Sequence, residues 1–245
     1  MTKVRIWDVP TRVIHWMLAA GLLAAFLIAQ IGGEHSSAFD YHSIIGLALA
    51  FVLTLRLIWG IVGTRNARFS SYVFSLVKLV RYARSVVTLD KSLRYVGHNP
   101  ATSWVAPVMF SLLAFIVATG VMMGQGSEAA EELHAVSVYL LLAVVGAHVI
   151  GVVLHSVRHR ENLIKGMVDG RKMGEPSDEV KAGRPVVALV LLIAVGGFAW
   201  SLVANYDPVQ HHTHLPFLGT TLGIGVAEGV EGATSVGGHE VGDND

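Results

Sequence analysis

The sequence predicts an all-α membrane protein, a four-helix transmembrane bundle with a fifth transmembrane helix. Of its 245 residues, 53% are hydrophobic and only 15% are charged, whereas an ordinary soluble domain has about 25% charged residues. A helix needs about 20 mostly apolar residues to cross a bilayer. Five stretches of the chain meet that need: 13–33, 43–63, 101–124, 133–157 and 185–204.

The first span follows Lys3, Arg5 and Arg12 and in this respect resembles a signal peptide. It is longer than the roughly 7–15-residue apolar region of a signal peptide. It also carries His15, one of the candidate ligands described below. We therefore expect this segment to be retained as the first transmembrane helix.

The second span carries Arg56, the one Lys or Arg residue that falls inside a predicted span. The segment that follows, 64–100, is too polar to cross a membrane. Its middle is amphipathic, so we expect it to lie along the membrane surface. The apolar residues of that middle are Val73, Phe74, Leu76, Val77, Leu79 and Val80.

Positive charges fall on one side of the predicted membrane. Of the 18 Lys and Arg residues, 3 lie in segment 1–12, 7 in segment 64–100 and 7 in segment 158–184. The segments predicted on the opposite side hold none, namely 34–42, 125–132 and 205–245. Cytoplasmic loops carry the excess of Lys and Arg, so the amino end is predicted inside and the carboxyl end outside.

The chain divides into three predicted parts. Residues 1–172 form the four-helix domain, and residues 173–204 form a linker with the fifth transmembrane helix. Residues 205–245 are rich in Gly, Thr and acidic side chains without a periodic pattern, which is typical of a disordered tail or of one ordered by a partner. His211, His212 and His214 in this tail resemble a metal-binding cluster, but a polar disordered tail explains them better.

Histidine is the obvious candidate for a metal ligand, because cysteine is absent while histidine occurs twelve times. The lack of cysteine excludes disulfides, iron–sulfur clusters held by thiolates and covalently attached c-type haem. Ionisable residues inside a span are costly and usually mark a functional site.

Four histidines fall at two matched depths of the predicted bundle. His134 and His148 in the fourth span are 14 residues apart, which separates them by about 21 Å along the helix and about 40° around it. His42 matches the outer level, and His15 matches the inner one. Two facing imidazoles can hold a b-type haem without covalent attachment. We therefore pair His42 with His134 and His15 with His148, the alternative being polar residues at helix ends that form interfacial hydrogen bonds.

Two further side chains are candidates at the inner level. Arg56 follows His42 by 14 residues and can pair with a haem propionate, or it extends its charged end to the interface. His155 competes with His148 as inner ligand, since seven residues return it to nearly the same helix face. Its position at the headgroups favours a contact with a propionate or a quinone, or a plain interfacial role.

The residues that carry these features resemble the bacterial cytochrome b561 family. The similar segments are "IWDVPTRVIHW" at 6–16, "YHSIIG" at 41–46, "LRLIWGIVG" at 55–63, "GHNP" at 97–100 and "ELHAVSVYLLLAVVGAHVIGVVLHSVRHRENL" at 132–163. That family is similar to the membrane cytochrome b subunits of nickel–iron hydrogenases and formate dehydrogenases. The resemblance implies a four-helix core in a bacterial inner membrane, two b haems and electron exchange with quinone. Carried over to this chain, the haem ligands fall on His15, His42, His134 and His148.

The resemblance favours an electron-transfer cytochrome that works between the quinone pool and a periplasmic c-type cytochrome or redox enzyme. A stand-alone quinone-linked oxidoreductase for a small diffusible donor is the main alternative. A histidine-based metal or proton transporter is disfavoured, because the spans lack the carboxylates that such relays commonly use. His98 and Asn99, before Pro100, are candidates for contact with quinone or a propionate, although capping of the third span by Asn99 explains them better.

Overall fold

A computed structural model describes residues 2–32, 37–88, 93, 95–216 and 219–224 of the chain. Five helices in it are long and apolar enough to cross a membrane, which confirms the predicted helical membrane architecture. They are α1 (Val9–Gly32), α2 (Ser37–Val62), α4 (Pro100–Met123), α5 (Glu128–His159) and α7 (Pro185–Ala204). Two shorter helices, α3 (Leu76–Val87) and α6 (Leu163–Asp169), lie between them in the sequence.

Helices α1 and α4 begin where polar side chains satisfy their first backbone N–H groups. The carboxylate of Asp8, 1% exposed, accepts the backbone N–H of Thr11 at 2.8 Å. It also accepts hydrogen bonds from the Thr64 hydroxyl at 2.6 Å and the Trp59 indole at 3.2 Å, so it joins the start of α1 to the end of α2. Asn99 caps α4 by accepting the Thr102 N–H at 2.8 Å, ahead of Pro100 in the first helical turn.

The helices pack in pairs, with α1 along α2 and α4 along α5, while α2 also contacts α4. Their shared core contains Leu49, Leu53, Leu113, Ile116 and Leu141. Helix α7 packs against α1 and α2, where the rings of Phe51 and Phe198 stack with their centroids 4.5 Å apart. The fifth transmembrane helix therefore lies on the outside of the α1–α2 pair.

One end of the bundle, which we call the basic side, carries α3, α6 and a two-stranded sheet. Strand β1 (Thr2–Arg5) pairs antiparallel with β2 (Arg171–Gly174). The Trp16 indole donates to the Met167 carbonyl of α6 at 3.1 Å. Helix α3 buries Tyr82 and Ser85 but exposes Leu76, Val77 and Val80, as expected of an amphipathic helix at an interface.

The opposite end carries a three-stranded antiparallel sheet of β3 (Tyr206–Asp207), β4 (His212–His214) and β5 (Thr221–Gly223). The structure therefore corrects the prediction of a disordered tail for this part. The fully buried Thr213 donates its hydroxyl hydrogen to the Leu202 carbonyl at 2.7 Å, and Ile224 packs with Ile44 and Leu202. These contacts with the helix ends order a segment that has no periodic pattern of its own. We call residues 206–216 and 219–224 the cap; residues 217–218 and 225–245 of the predicted tail lie outside the described residues.

Candidate functional site

His42 of α2 and His134 of α5 face each other near the cap. Their ring centroids are 6.1 Å apart and their planes are inclined by 69°. The Nδ1 atom of His42 lies 2.8 Å from the Ala25 carbonyl, and that of His134 lies 3.0 Å from the Ile116 carbonyl. Since a carbonyl only accepts, each ring has its N–H at Nδ1 and a free lone pair at Nε2.

A cavity of about 310 Å³ lies beside this pair, and its walls are mostly apolar. His42 and His134 both line it, together with Gly46, Gly120 and Leu222 of the cap. A Cβ atom at Gly120 would lie 3.3 Å from Cε1 of His134, whereas one at Gly46 would meet nothing within 4 Å. Because neither glycine has a side chain, both leave space in the cavity wall for a flat ligand.

His15 of α1 and His148 of α5 lie closer to the basic side than the first pair does. They are close enough to each other to interact electrostatically. Both side chains are partly buried. Nδ1 of His15 is buried and has no hydrogen-bond partner among the described residues, and the His15 ring meets the Trp16 ring edge-on at 5.2 Å. Unlike the rings near the cap, His15 is therefore not oriented by a backbone carbonyl.

Arg56 is only 6% exposed, so its side chain is enclosed by other residues of the protein. Nη2 donates to the Tyr72 hydroxyl at 3.1 Å, and the guanidinium lies 5.1 Å above the Phe69 ring and 5.3 Å above the Phe110 ring. Nη1 is buried without a hydrogen-bond partner in the described part of the chain. One donor of a buried cation therefore remains available to an anion.

His155 is 8% exposed and lies in a polar cluster on the basic side. Its Nδ1 is 3.3 Å from the Tyr82 hydroxyl, its Nε2 is 4.0 Å from a Glu161 carboxylate oxygen, and its ring centroid is 4.4 Å from that of His159. This cluster brings together α3 and the end of α5. Tyr82 escaped the sequence analysis because nothing in the sequence links it to a histidine 73 residues away.

His98 and Asn99 have structural partners. Nε2 of His98 lies 2.9 Å from the Asn66 carbonyl, and its ring packs against Tyr72 at 4.4 Å and Trp7 at 4.9 Å. Burial lowers the pKa of His98 to about 4, against the opposing effect of the Asn66 hydrogen bond. Asn99 caps α4 as expected, and Nδ1 of His98 is buried without a hydrogen-bond partner in the described residues.

Of the three histidines of the cap, one contacts a buried carboxylate and two are exposed. Nδ1 of His211 lies 3.1 Å from Oδ2 of Asp40, and the Tyr206 hydroxyl also hydrogen-bonds Asp40. Asp40 is only 3% exposed. Through these two contacts it anchors the cap to the start of α2. His212 and His214 are exposed on β4. Within the described residues, no group of three or more His, Asp or Glu side chains is arranged to hold a metal ion.

Comparison with known proteins extends these observations. The sequence model of the family described as prokaryotic cytochrome b561 matches residues 6–170, a range that includes α1 to α6. A protein of Rhizobium leguminosarum bv. viciae, named "Probable Ni/Fe-hydrogenase B-type cytochrome subunit", is 25% identical over 213 residues, covering 70% of this chain and 89% of that protein. No solved structure matches the chain significantly.

The family match spans more than half of the chain and contains every helix that carries a candidate histidine. Cytochromes of this family bind haem b and take part in membrane electron transfer. Together with its five long apolar helices, the match identifies the chain as a multi-pass membrane b-type cytochrome that belongs to the prokaryotic cytochrome b561 family.

Proposed function

We propose that this chain is a membrane cytochrome with two b haems that carries electrons between the quinone pool and a periplasmic redox partner. His42 and His134 hold one haem near the cap, and His15 and His148 hold the other toward the basic side. The observation that carries the proposal is the geometry of His42 and His134.

His42 and His134 would hold the haem between them, since their rings face each other with centroids 6.1 Å apart and both line the same cavity. Protein ligands of this kind usually donate the second ring N–H to a carbonyl or carboxylate, which fixes the tautomer. Both rings do so here, to Ala25 and Ile116, and each therefore offers Nε2 to the metal.

The surroundings of this pair suit a haem as well. Bound haem supplies reversible one-electron chemistry. Leu49, Leu113 and Ile116 line the cavity and keep water away from it, while Gly46 and Gly120 leave room for a flat ring. The protein's part is thus to orient two imidazoles and to exclude solvent.

Support for the second site is of a different kind. His15 and His148 are close enough to interact electrostatically, and His15 has a buried Nδ1 without a partner in the described residues. Arg56 offers its unpartnered Nη1 to a propionate of this haem. His155 is a further candidate for a propionate or quinone contact, since the polar cluster around it reaches the basic side.

The spacing of the two sites explains why the chain needs both. His134 and His148 are about 21 Å apart along α5, so the sites divide a hydrocarbon core about 30 Å thick into short steps. The excess of Lys and Arg on the basic side favours a cytoplasmic amino end in the bacterial inner membrane. The quinone site is expected on the cytoplasmic half and the partner on the cap side.

The name of the Rhizobium relative favours a redox enzyme such as a hydrogenase as the partner, and a c-type cytochrome is the other partner class. A dithionite-reduced minus oxidised spectrum of the purified chain, with haem quantitation, tests the proposal. We expect b-type bands and two haems per chain. A colourless protein would overturn it, and one haem per chain would overturn the two-site arrangement.

A further inference from the structure

Arg158 is a buried cation without an ion-pair partner in the part of the chain that the structure describes. It lies in the last turn of α5 and is 9% exposed. Its Nε and Nη2 atoms are buried and have no hydrogen-bond partner among the described residues. In the same part of the chain no carboxylate lies within 4.0 Å of its guanidinium. An arginine stays charged at any physiological pH, and an unpaired buried charge is strongly destabilising, so an anion is needed at this position.

The neighbours of Arg158 are polar. His155 lies three residues earlier and therefore on the same helix face. The Tyr82 hydroxyl accepts from the Asn99 amide at 3.3 Å and lies 3.3 Å from His155 Nδ1. Burial raises the pKa of the Tyr82 phenol, although the nearby Arg158 guanidinium opposes the increase, so this phenol remains protonated. The unpartnered nitrogens of Arg158, beside this neutral phenol, therefore favour a negatively charged group between α3 and the end of α5.

Exposed apolar side chains occur on both of these helices. On α5, Leu154 is 50% exposed and Val157 is 74% exposed; on α3, Val77 is 69% exposed and Val80 is 65% exposed. An acyl chain packed along these side chains would bring its headgroup to the level of Arg158. Basic pockets between transmembrane helices at a cytoplasmic surface commonly bind acidic lipid headgroups.

Depth separates this anion from a haem propionate. Arg158 follows His148 by ten residues, which moves it about 15 Å further toward the basic end of α5. Arg56, with its own unpartnered Nη1, follows His42 by 14 residues, the spacing that separates His134 from His148. Arg56 thus serves the propionate, and Arg158 is left at headgroup depth.

We propose that Arg158 binds the phosphate of an acidic phospholipid in a site between α3 and the end of α5. The guanidinium pairs with the phosphate oxygens, and the acyl chains lie along the exposed apolar side chains of the two helices. The lipid thereby neutralises the buried cation and fixes α3 against the bundle.

The test compares wild type, Arg158→Gln and Arg160→Gln as full-length, haem-loaded proteins in detergent. Arg160 is the matched control, because it is exposed at the same helix end and its replacement removes the same charge. Each protein receives phosphatidylglycerol, phosphatidylcholine or inorganic phosphate. The thermal unfolding midpoint gives the apparent affinity, native mass spectrometry counts retained lipid, and haem per chain is measured in parallel.

We expect phosphatidylglycerol to raise the unfolding midpoint of wild type and Arg160→Gln, with little effect of phosphatidylcholine or inorganic phosphate. Arg158→Gln should bind phosphatidylglycerol at least about tenfold more weakly, since a charge-assisted hydrogen-bond pair is lost, and should keep its haem content. Arg158→Lys, which retains the charge without the planar fork, should lie between the two.

Equal responses of wild type and Arg158→Gln to phosphatidylglycerol would overturn the proposal. An equal effect of phosphatidylcholine on wild type would overturn the acidic-lipid preference. Loss of one haem from Arg158→Gln with an unchanged lipid response would assign Arg158 to a propionate instead. If Arg158→Gln does not fold, Arg158→Lys decides, because an unchanged phosphatidylglycerol affinity in that variant contradicts a bidentate phosphate contact.

Discussion

The two histidine pairs of this cytochrome differ in how their surroundings orient them. Near the cap, His42 and His134 each donate to a backbone carbonyl and share an apolar cavity. On the basic side, His15 has a buried Nδ1 without a partner in the described residues, and a buried arginine and a polar cluster lie around that end. The backbone therefore orients His42 and His134 but not Nδ1 of His15, and the two pairs are expected to respond differently to substitution.

The largest expected effect comes from removing a ligand. His42→Ala should reduce haem from two per chain to one and leave the basic-side haem in place, while His148→Ala should do the opposite. Haem quantitation and the reduced-minus-oxidised spectrum measure both outcomes. His212→Ala, at an exposed histidine on β4, is the control and should retain two haems. Loss of both haems from either ligand variant would show that the sites do not fold independently.

A falling pH should destabilise the basic side before it destabilises the cap side. Burial lowers the pKa of His98 to about 4, below the unfolded value of about 6.5. The unfolded chain therefore binds more protons between these two values, and stability is lost as the pH falls from about 6.5 to 4. The loss amounts to at most roughly 3 kcal/mol.

Haem retention on each side, followed spectroscopically between pH 7 and pH 4, measures this effect. The basic-side haem should be released at a higher pH than the cap-side haem. His98→Gln removes the titrating group and should flatten the pH dependence of unfolding, at some cost in stability at neutral pH. An unchanged pH profile in that variant would remove His98 as the cause.

A smaller effect is expected from a single methyl group on the cap side. A Cβ at Gly120 would lie 3.3 Å from Cε1 of His134, so Gly120→Ala should displace that ring by a few tenths of an ångström and weaken retention of the cap-side haem severalfold. Gly196→Ala on α7 is the matched control, because a Cβ there meets nothing within 4 Å. That control should gain about 0.5–1 kcal/mol of helix stability and keep both haems. Equal haem retention in the two variants would contradict a tightly positioned His134.

The transmembrane helices and the cap mark the limits of prediction from this sequence. Helix length and hydropathy are local properties, so the five spans and the Asn99 cap of α4 could be predicted and are confirmed. The cap could not be predicted, because its strands are two or three residues long and depend on contacts of Thr213 and Ile224 with distant helix ends.

The same distinction holds for the candidate site. Depth along the helices pairs the four histidines from sequence alone, and their roles as ligands stay a prediction. The carbonyls of Ala25 and Ile116 escape sequence reasoning, since any residue type has a carbonyl group. Tyr82 and Arg158 escape it too, because burial and the lack of a partner are properties of the assembled bundle.

The pairing of β1 with β2 also has a consequence for how the protein is made. Thr2 pairs with Gly174 and Arg5 with Arg171, so the first strand to leave the ribosome gains its partner only after four transmembrane segments have been translated. At about 5–20 residues per second, that wait lasts roughly 10–30 s. During this interval β1 waits for β2, so this small sheet can close only after α5 has been made.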